Sequence, residues 1–132
     1  MILVDTSAWV EFLRDTGSPV CEEVDRLLGE AIAVPDPVVM EVLAGARDEQ
    51  HLSGLRALLA RAELLRCESQ DYLTAADLYR QCRRRGETVR RLAECLIAAV
   101  AIRHGVPVLH ADEDFAALAR HTPLAVHPPG IA

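Results

Sequence analysis

Short apolar runs that stop at, or lead directly into, a carboxylate limit how this chain can fold. Met1-Ile2-Leu3-Val4 is closed by Asp5, and Val106-Pro107-Val108-Leu109 leads into Asp112 and Asp114. Val38-Val39-Met40 is followed by Glu41, and Glu94 is the only charge between Leu92 and Ile102. An unpaired buried carboxylate costs several kcal/mol, so such groups are paired, neutralised or bound to metal. The fold therefore has to bring these acids to a place that can use them.

Helix signals fill the spaces between the apolar runs. Thr6-Ser7 offers a cap for a helix to about Arg14, and Ser18-Pro19 supplies a cap and a first-position proline for the next. Val20, Val24, Leu27 and Leu28 form its apolar stripe, and Gly29 ends it. Ala31 to Val34 reads as a second strand. Asp36-Pro37 predicts another capped helix, through about Ala46. Leu52, Leu55, Leu59 and Ala62 carry helical spacing, and Leu64 to Cys67 predicts a third strand.

Tyr72, Ala75, Tyr79 and Cys82 mark a helix that stops at Gly86. Thr88 is expected to cap a long apolar helix from Val89 to His104, with Gly105 as its stop. Val106 to Leu109 reads as a strand, and Asp112 as the cap of a short helix holding Phe115, Leu118 and Ala119. Leu124-Ala125-Val126 is expected to form the last strand, before a tail at His127-Pro128-Pro129-Gly130. This alternation predicts one α/β sandwich domain over residues 1–132, with a mainly parallel central sheet. Ligands in such folds bind beyond the carboxyl ends of the strands, where Asp5 and Asp112 fall.

Composition narrows the class. With 51% hydrophobic and 26% charged residues, the 132-residue chain reads as soluble and globular. The apolar stretch from Leu96 to Ile102 is too short to span a membrane, and Asp5 interrupts any signal-peptide pattern, so a cytoplasmic location is expected. Cys21, Cys67, Cys82 and Cys95 lack metal-ligand spacing and read as reduced structural thiols. His110 lies near Asp112, but strand alternation favours a structural role for it.

The net charge of −6 argues against nucleic acid only until its distribution is considered. The five singled-out acids carry most of the excess. All positive side-chain charge is arginine, since the chain has no lysine, and Arg83, Arg84, Arg85, Arg90 and Arg91 fall within nine residues. The arginine fork suits phosphate, which makes these five candidate RNA contacts. A solvated helix end is the equally weighted alternative.

Carboxylate oxygens suit hard cations, chiefly Mg²⁺ or Mn²⁺. Such ions polarise phosphoryl oxygens and activate water, so an all-carboxylate site favours phosphodiester chemistry. Each acid also has a plainer reading. Asp5 and Asp112 can cap helices, Glu41 can sit on a helix surface, and Asp114 can favour a helix N-terminus. Glu94 is the hardest to explain away, because its neighbours are apolar on every helical face.

The motifs support a resemblance. Met1-Ile2-Leu3-Val4-Asp5-Thr6-Ser7-Ala8-Trp9 resembles the opening of PIN-domain ribonucleases, specifically VapC toxins of bacterial toxin–antitoxin pairs. Pro37-Val38-Val39-Met40-Glu41-Val42-Leu43-Ala44-Gly45, Gly86-Glu87-Thr88-Val89-Arg90, Cys95-Leu96-Ile97-Ala98-Ala99 and His110-Ala111-Asp112-Glu113-Asp114-Phe115 follow in family order. The resemblance implies a PIN-like three-layer sandwich with a five-stranded sheet of order 3-2-1-4-5. It implies Mg²⁺- or Mn²⁺-dependent cleavage of structured RNA such as tRNA or ribosomal RNA, leaving 5′-phosphate and 3′-hydroxyl ends.

By motif match, Asp5, Glu41, Asp112 and Asp114 would bind metal, with Glu94 at a further ligand position and Thr6 and Ser7 in support. Asp5, Glu41, Glu94 and Asp112 would form the catalytic set. Implied partners are a VapB-like antitoxin, a second copy of the chain, and operator DNA reached only through the antitoxin. Trp9, Phe12 and Leu13 could line an antitoxin groove, although core packing is preferred for Trp9.

The family usually has Asp immediately before Cys-Leu-Ile-Ala-Ala, whereas this chain has Glu94. The added methylene shifts the carboxylate, and Mg²⁺ demands near-ideal octahedral geometry. The alternative function is therefore an attenuated module that binds antitoxin and RNA without efficient cleavage. Phosphatase and phosphoacceptor readings fail on motif chemistry: no lysine accompanies the acids, and Asp5-Thr6-Ser7 lacks a second Asp.

Overall fold

A computed structural model describes residues 1–128 of the chain. Strand β1 (Ile2–Val4) leads into α1 (Thr6–Leu13) and α2 (Pro19–Leu27), and β2 (Ile32–Pro35) into α3 (Asp36–Ala44) and α4 (Glu49–Leu59). Then come β3 (Glu63–Leu65), α5 (Ser69–Arg84), α6 (Leu92–His104), β4 (Val108–Leu109) and α7 (Glu113–His121). The strands form one parallel sheet in the order β3-β2-β1-β4. Ile2 pairs with Ile32 and Leu3 with Val108, so β1 is interior to the sheet.

Among the described residues the sheet has four strands, where five were expected. At the predicted last strand, Val126 makes a single parallel bridge to Val108. Its bonds are Val108 N–H to Ala125 O (3.1 Å) and His127 N–H to Val108 O (2.8 Å). The pairing is on the β4 side, as the expected order requires, but one bridge does not make a strand. Pro129 and Gly130 of the predicted tail lie outside the described residues.

Local chemistry accounts for most element ends. Ser18 accepts the Cys21 N–H ahead of Pro19, as its sequence predicts. Gly105 closes α6 in the left-handed region (φ 64°), where a side chain would be strained. Asp36 corrects the sequence reading. The α3 cap is Pro35, and the Asp36 carboxylate accepts the Cys67 N–H at 2.9 Å, tying α3 to the end of β3. A second correction is at α6, which begins at Leu92 with Arg91 as its cap residue. Thr88 caps nothing, and the preceding segment runs outside the helix.

The core is continuous. Leu3, Val4, Trp9, Val34, Val38, Ile97, Val108, Leu109, Phe115 and Leu118 are all essentially excluded from water. Trp9 meets Phe12 edge to face, with ring centroids 6.4 Å apart. Burying side chains of this size stabilises by roughly 1.5–3 kcal/mol each. The packing fixes the strand ends that carry Asp5 and the segment leading to Asp112. Cys21, Cys67, Cys82 and Cys95 are free thiols; Cys67 is half-buried and the other three are buried, and burial pushes Cys95 up to about 12, as for an unreactive core thiol. Among the described residues, no helix is long and apolar enough to cross a membrane.

Candidate active site

Asp5 leaves the end of β1 and caps α1. Its Oδ2 accepts the Ser7 N–H at 3.0 Å and the Ser7 hydroxyl at 2.6 Å. Ser7 Oγ in turn accepts the Ala111 N–H at 2.8 Å, joining the carboxyl end of β1 to the loop after β4. Thr6 donates its hydroxyl to Glu41 Oε1 at 2.9 Å, drawing α3 to the same place. Both predicted supporting hydroxyls therefore hold acidic side chains. Asp5 thus caps α1 from within the acidic cluster.

Glu94 sits in the first turn of α6 with 1% of its surface exposed. Asp112 caps α7, its Oδ1 accepting the Asp114 N–H at 2.9 Å. Two arginines reach these acids. Arg91 lies 2.7 Å from Asp112 Oδ2 and 3.5 Å from Glu94 Oε1. Arg90 lies 3.3 Å from Asp112 Oδ1 and 3.4 Å from Asp114 Oδ1, and its backbone N–H donates to Asp114 at 3.2 Å.

Burial alone does not distinguish this group. Glu23 and Asp71 are also buried. Arg26 takes both Glu23 oxygens, at 2.7 and 2.6 Å, and His127 adds a further contact. Arg103 takes both Asp71 oxygens at 2.9 Å. In contrast, Asp5 Oδ1, Glu94 Oε2 and Asp114 Oδ2 are buried with no hydrogen-bond partner. Native structures leave few such groups, and an absent ion is one of the accepted reasons. The Glu23–Arg26 spacing of three was visible in the sequence; the Asp71–Arg103 pair, 32 residues apart, was not.

The electrostatics follow from this arrangement. Burial raises the Asp5 carboxyl, Ser7 and Thr6 hydrogen bonds oppose it, and the Glu41 charge adds to the rise. Burial, followed by the Asp5 charge, pushes Glu94 up to about 8, with Arg91 opposing. Burial also works against ionised Asp112. There, however, the Asp114 N–H, Arg91 and Arg90 prevail and hold the carboxyl below its usual range. Burial and neighbouring acids thus raise Asp5 and Glu94, while the Asp114 N–H and the two arginines favour ionised Asp112.

The acids do not form a finished cage: among the described residues, no three His, Cys, Asp or Glu side chains converge in a metal-binding geometry. The donor set nevertheless fits a hard cation. Its spare atoms are carboxylate oxygens in a desolvated place, and Asp112 is occupied by guanidinium groups.

The arginine run divides. Arg83, Arg84 and Arg85 are exposed at the end of α5, with Arg83 stacked 5.6 Å from the Tyr79 ring centre, whereas Arg90 and Arg91 lie on the acids. His110 has the expected packing role: its ring lies 5.3 Å from that of Phe115, its Nδ1 accepts the Asp112 N–H, and burial lowers its basicity. Trp9 is core, Phe12 is half-buried and Leu13 is exposed. Leu13 lines a cleft of about 450 Å³ with Thr6, Val10, Glu41 and Leu55.

Comparison with known proteins places the chain in a family. Residues 2–121 match the PIN domain family model. Ribonuclease VapC11 of Mycobacterium tuberculosis (strain ATCC 25618 / H37Rv) is 48% identical over 128 residues, covering 94% of this chain and 96% of that protein. The crystal structure of FitAcB from Neisseria gonorrhoeae superposes with a TM-score of 0.77 at 23% identity, covering 98% of each chain. That of VapBC2 from Rickettsia felis, bound to a DNA fragment from their promoter, gives 0.76 at 20% identity, covering 96% of this chain and 98% of that one. These two structures share the fold. The chain belongs to the PIN-domain family and is a VapC-like ribonuclease toxin.

Proposed function

We propose that this chain, as a single PIN domain over residues 1–132 acting in the cytoplasm, cleaves structured RNA such as tRNA or ribosomal RNA with Mg²⁺ or Mn²⁺ and so inhibits translation. The carrying observation is the set of partnerless buried oxygens on Asp5, Glu94 and Asp114 beside Glu41 and Asp112. Asp5, Glu41, Glu94 and Asp112 form the catalytic set, and Asp114 completes the metal ligands. A bound divalent ion would polarise the phosphodiester and make hydroxide available at neutral pH.

The chain's residues prepare that chemistry. Ser7 locks one oxygen of Asp5 and leaves the other free. Thr6 orients Glu41 from across the site. Burial pushes Glu94 up to about 8 against the opposing charge of Arg91, and a bound divalent ion would favour the ionised carboxylate. Arg83, Arg84, Arg85, Arg90 and Arg91 supply positive charge for the RNA backbone. The expected products carry 5′-phosphate and 3′-hydroxyl ends.

The partners are a VapB-like antitoxin, a second copy of the chain, and operator DNA through the antitoxin. The cleft between Leu13 and Glu41 leads to the acids and suits an antitoxin segment with apolar side chains. Incubation of total RNA with the protein and Mg²⁺ or Mn²⁺, followed by end mapping, tests the nuclease reading. Defined new ends that vanish with EDTA and with Asp5→Ala support it, and intact RNA with both ions overturns it.

A second reading has its own support. The acids do not close into a cage, and Glu94 is one methylene longer than the family's usual residue. An attenuated binding module is then the alternative. Cleavage by Glu94→Asp but not by the unaltered chain would select it.

A further inference from the structure

The segment before α6 is not helical, and its placement is tightly specified. Val89 is buried with only 2% exposure, anchoring the segment in the core. The next residue donates its backbone N–H to Asp114, and Arg91 is the extended cap residue of α6 (φ −130°, ψ 124°). These anchors aim the Arg91 side chain across the acidic site. Its Nη2 lies 2.7 Å from Asp112 Oδ2 and 3.5 Å from Glu94 Oε1. The guanidinium thus spans two acids from different elements, while its outer side remains exposed to solvent.

From this geometry we infer that Arg91 is the resident counter-cation of the metal site and must leave Asp112 and Glu94 for a divalent ion to bind. The inference rests on the metal-site reading above and adds a competitor built into the chain. A divalent ion and the Arg91 guanidinium repel one another when both lie against the same carboxylates, so ion entry and Arg91 departure are coupled. The exchange also explains why the acids are gathered without forming a cage: Asp112 is turned toward guanidinium groups. The guanidinium offsets part of the acidic charge in cation-free protein, and metal affinity is reduced by the free energy of the displaced ion pair.

Mn²⁺ binding followed by electron paramagnetic resonance tests this on the full chain. The variants are Arg91→Gln, Asp5→Asn and the charge control Arg61→Gln. Arg61 lies before β3, at the amino-terminal edge of the sheet, where it bonds to Leu28 O. Arg91→Gln is expected to bind Mn²⁺ roughly two- to fivefold more tightly, the upper range of a partly exposed ion pair, with Arg61→Gln indistinguishable from the parent. In a parallel Mg²⁺ titration, the Arg91 Nε–Hε resonance should move with the same midpoint as ion binding.

Unchanged Mn²⁺ affinity in Arg91→Gln, or an Arg91 resonance that ignores Mg²⁺, overturns the exchange alone if Asp5→Asn still abolishes binding. Absence of Mn²⁺ binding to the parent and to Arg91→Gln overturns the metal-site reading and the exchange together. Binding that appears only in Arg91→Gln supports the exchange.

Discussion

Ser7 holds Asp5 by one oxygen only. Its hydroxyl and backbone N–H both go to Oδ2, at 2.6 and 3.0 Å, and Oδ1 is left buried without a partner. The same hydroxyl accepts the Ala111 N–H, so Asp5 is oriented against the β4 loop that carries Asp112. Ser7→Ala removes that orientation without removing a carboxylate. Cleavage should fall about tenfold or more, as when supporting partners of metal ligands are lost. Ser7→Thr should recover most of the loss in a parallel rate measurement.

Glu94 makes the cation-free protein sensitive to alkali. Its carboxyl is pushed from the ordinary 4.5 to about 8 in the fold, chiefly by burial and then by the Asp5 charge. The folded state therefore binds the proton more tightly than the unfolded state. Stability falls as pH rises between those values, and the full penalty is present above the upper one. In EDTA, the melting temperature should drop by roughly 4 °C or more from pH 6 to pH 8.5. The drop should shrink in Glu94→Gln and with saturating Mg²⁺. An identical pH slope in parent and Glu94→Gln would contradict the assignment.

The length of Glu94 should matter to catalysis. Glu94→Asp withdraws the carboxylate by one methylene and restores the family's usual residue. Metal-dependent cleavage should be retained or raised, with any gain seen as a lower Mg²⁺ requirement. A clear loss of cleavage with unchanged melting would show that this position is aligned wrongly.

Asp71 separates folding from function. It is buried, with both oxygens on Arg103, whose side chain is 29% exposed. Arg103 also donates to Arg66 O, linking α5, α6 and the chain after β3. Asp71→Asn should cost about 1–3 kcal/mol in urea unfolding, while cleavage per folded molecule remains unchanged. The Arg103 bond and associated contacts depress the Asp71 carboxyl below 3.8, so its contribution holds above that value and fades in stronger acid.

Much of this architecture can be read from local sequence. Ser18-Pro19 and Gly105 mark helix ends by their own chemistry, and Asp5 and Asp112 follow their short strands as expected. The differences come from distant contacts. Thr88 looks like a cap, but Asp114 holds the Arg90 backbone from 24 positions away, so α6 starts later. Asp36 looks like a cap until its carboxylate is found on Cys67. Val126 reads as strand residue yet makes one bridge. In the site, the acids and both hydroxyls were legible by motif, but the arginines lying on those acids were not. A run of arginines gives no sign of which members turn inward.

Single-turnover cleavage of an RNA substrate identified by end mapping tests the central claim most directly. Rates are compared for the parent and Asp5→Asn across Mg²⁺ concentrations, with Asp5→Asn confirmed as folded by its melting curve. Saturable Mg²⁺ dependence is predicted for the parent, with a loss of roughly 10²-fold or more in Asp5→Asn. Equal rates in the two proteins, or cleavage that persists in EDTA, would contradict an active site built on these carboxylates.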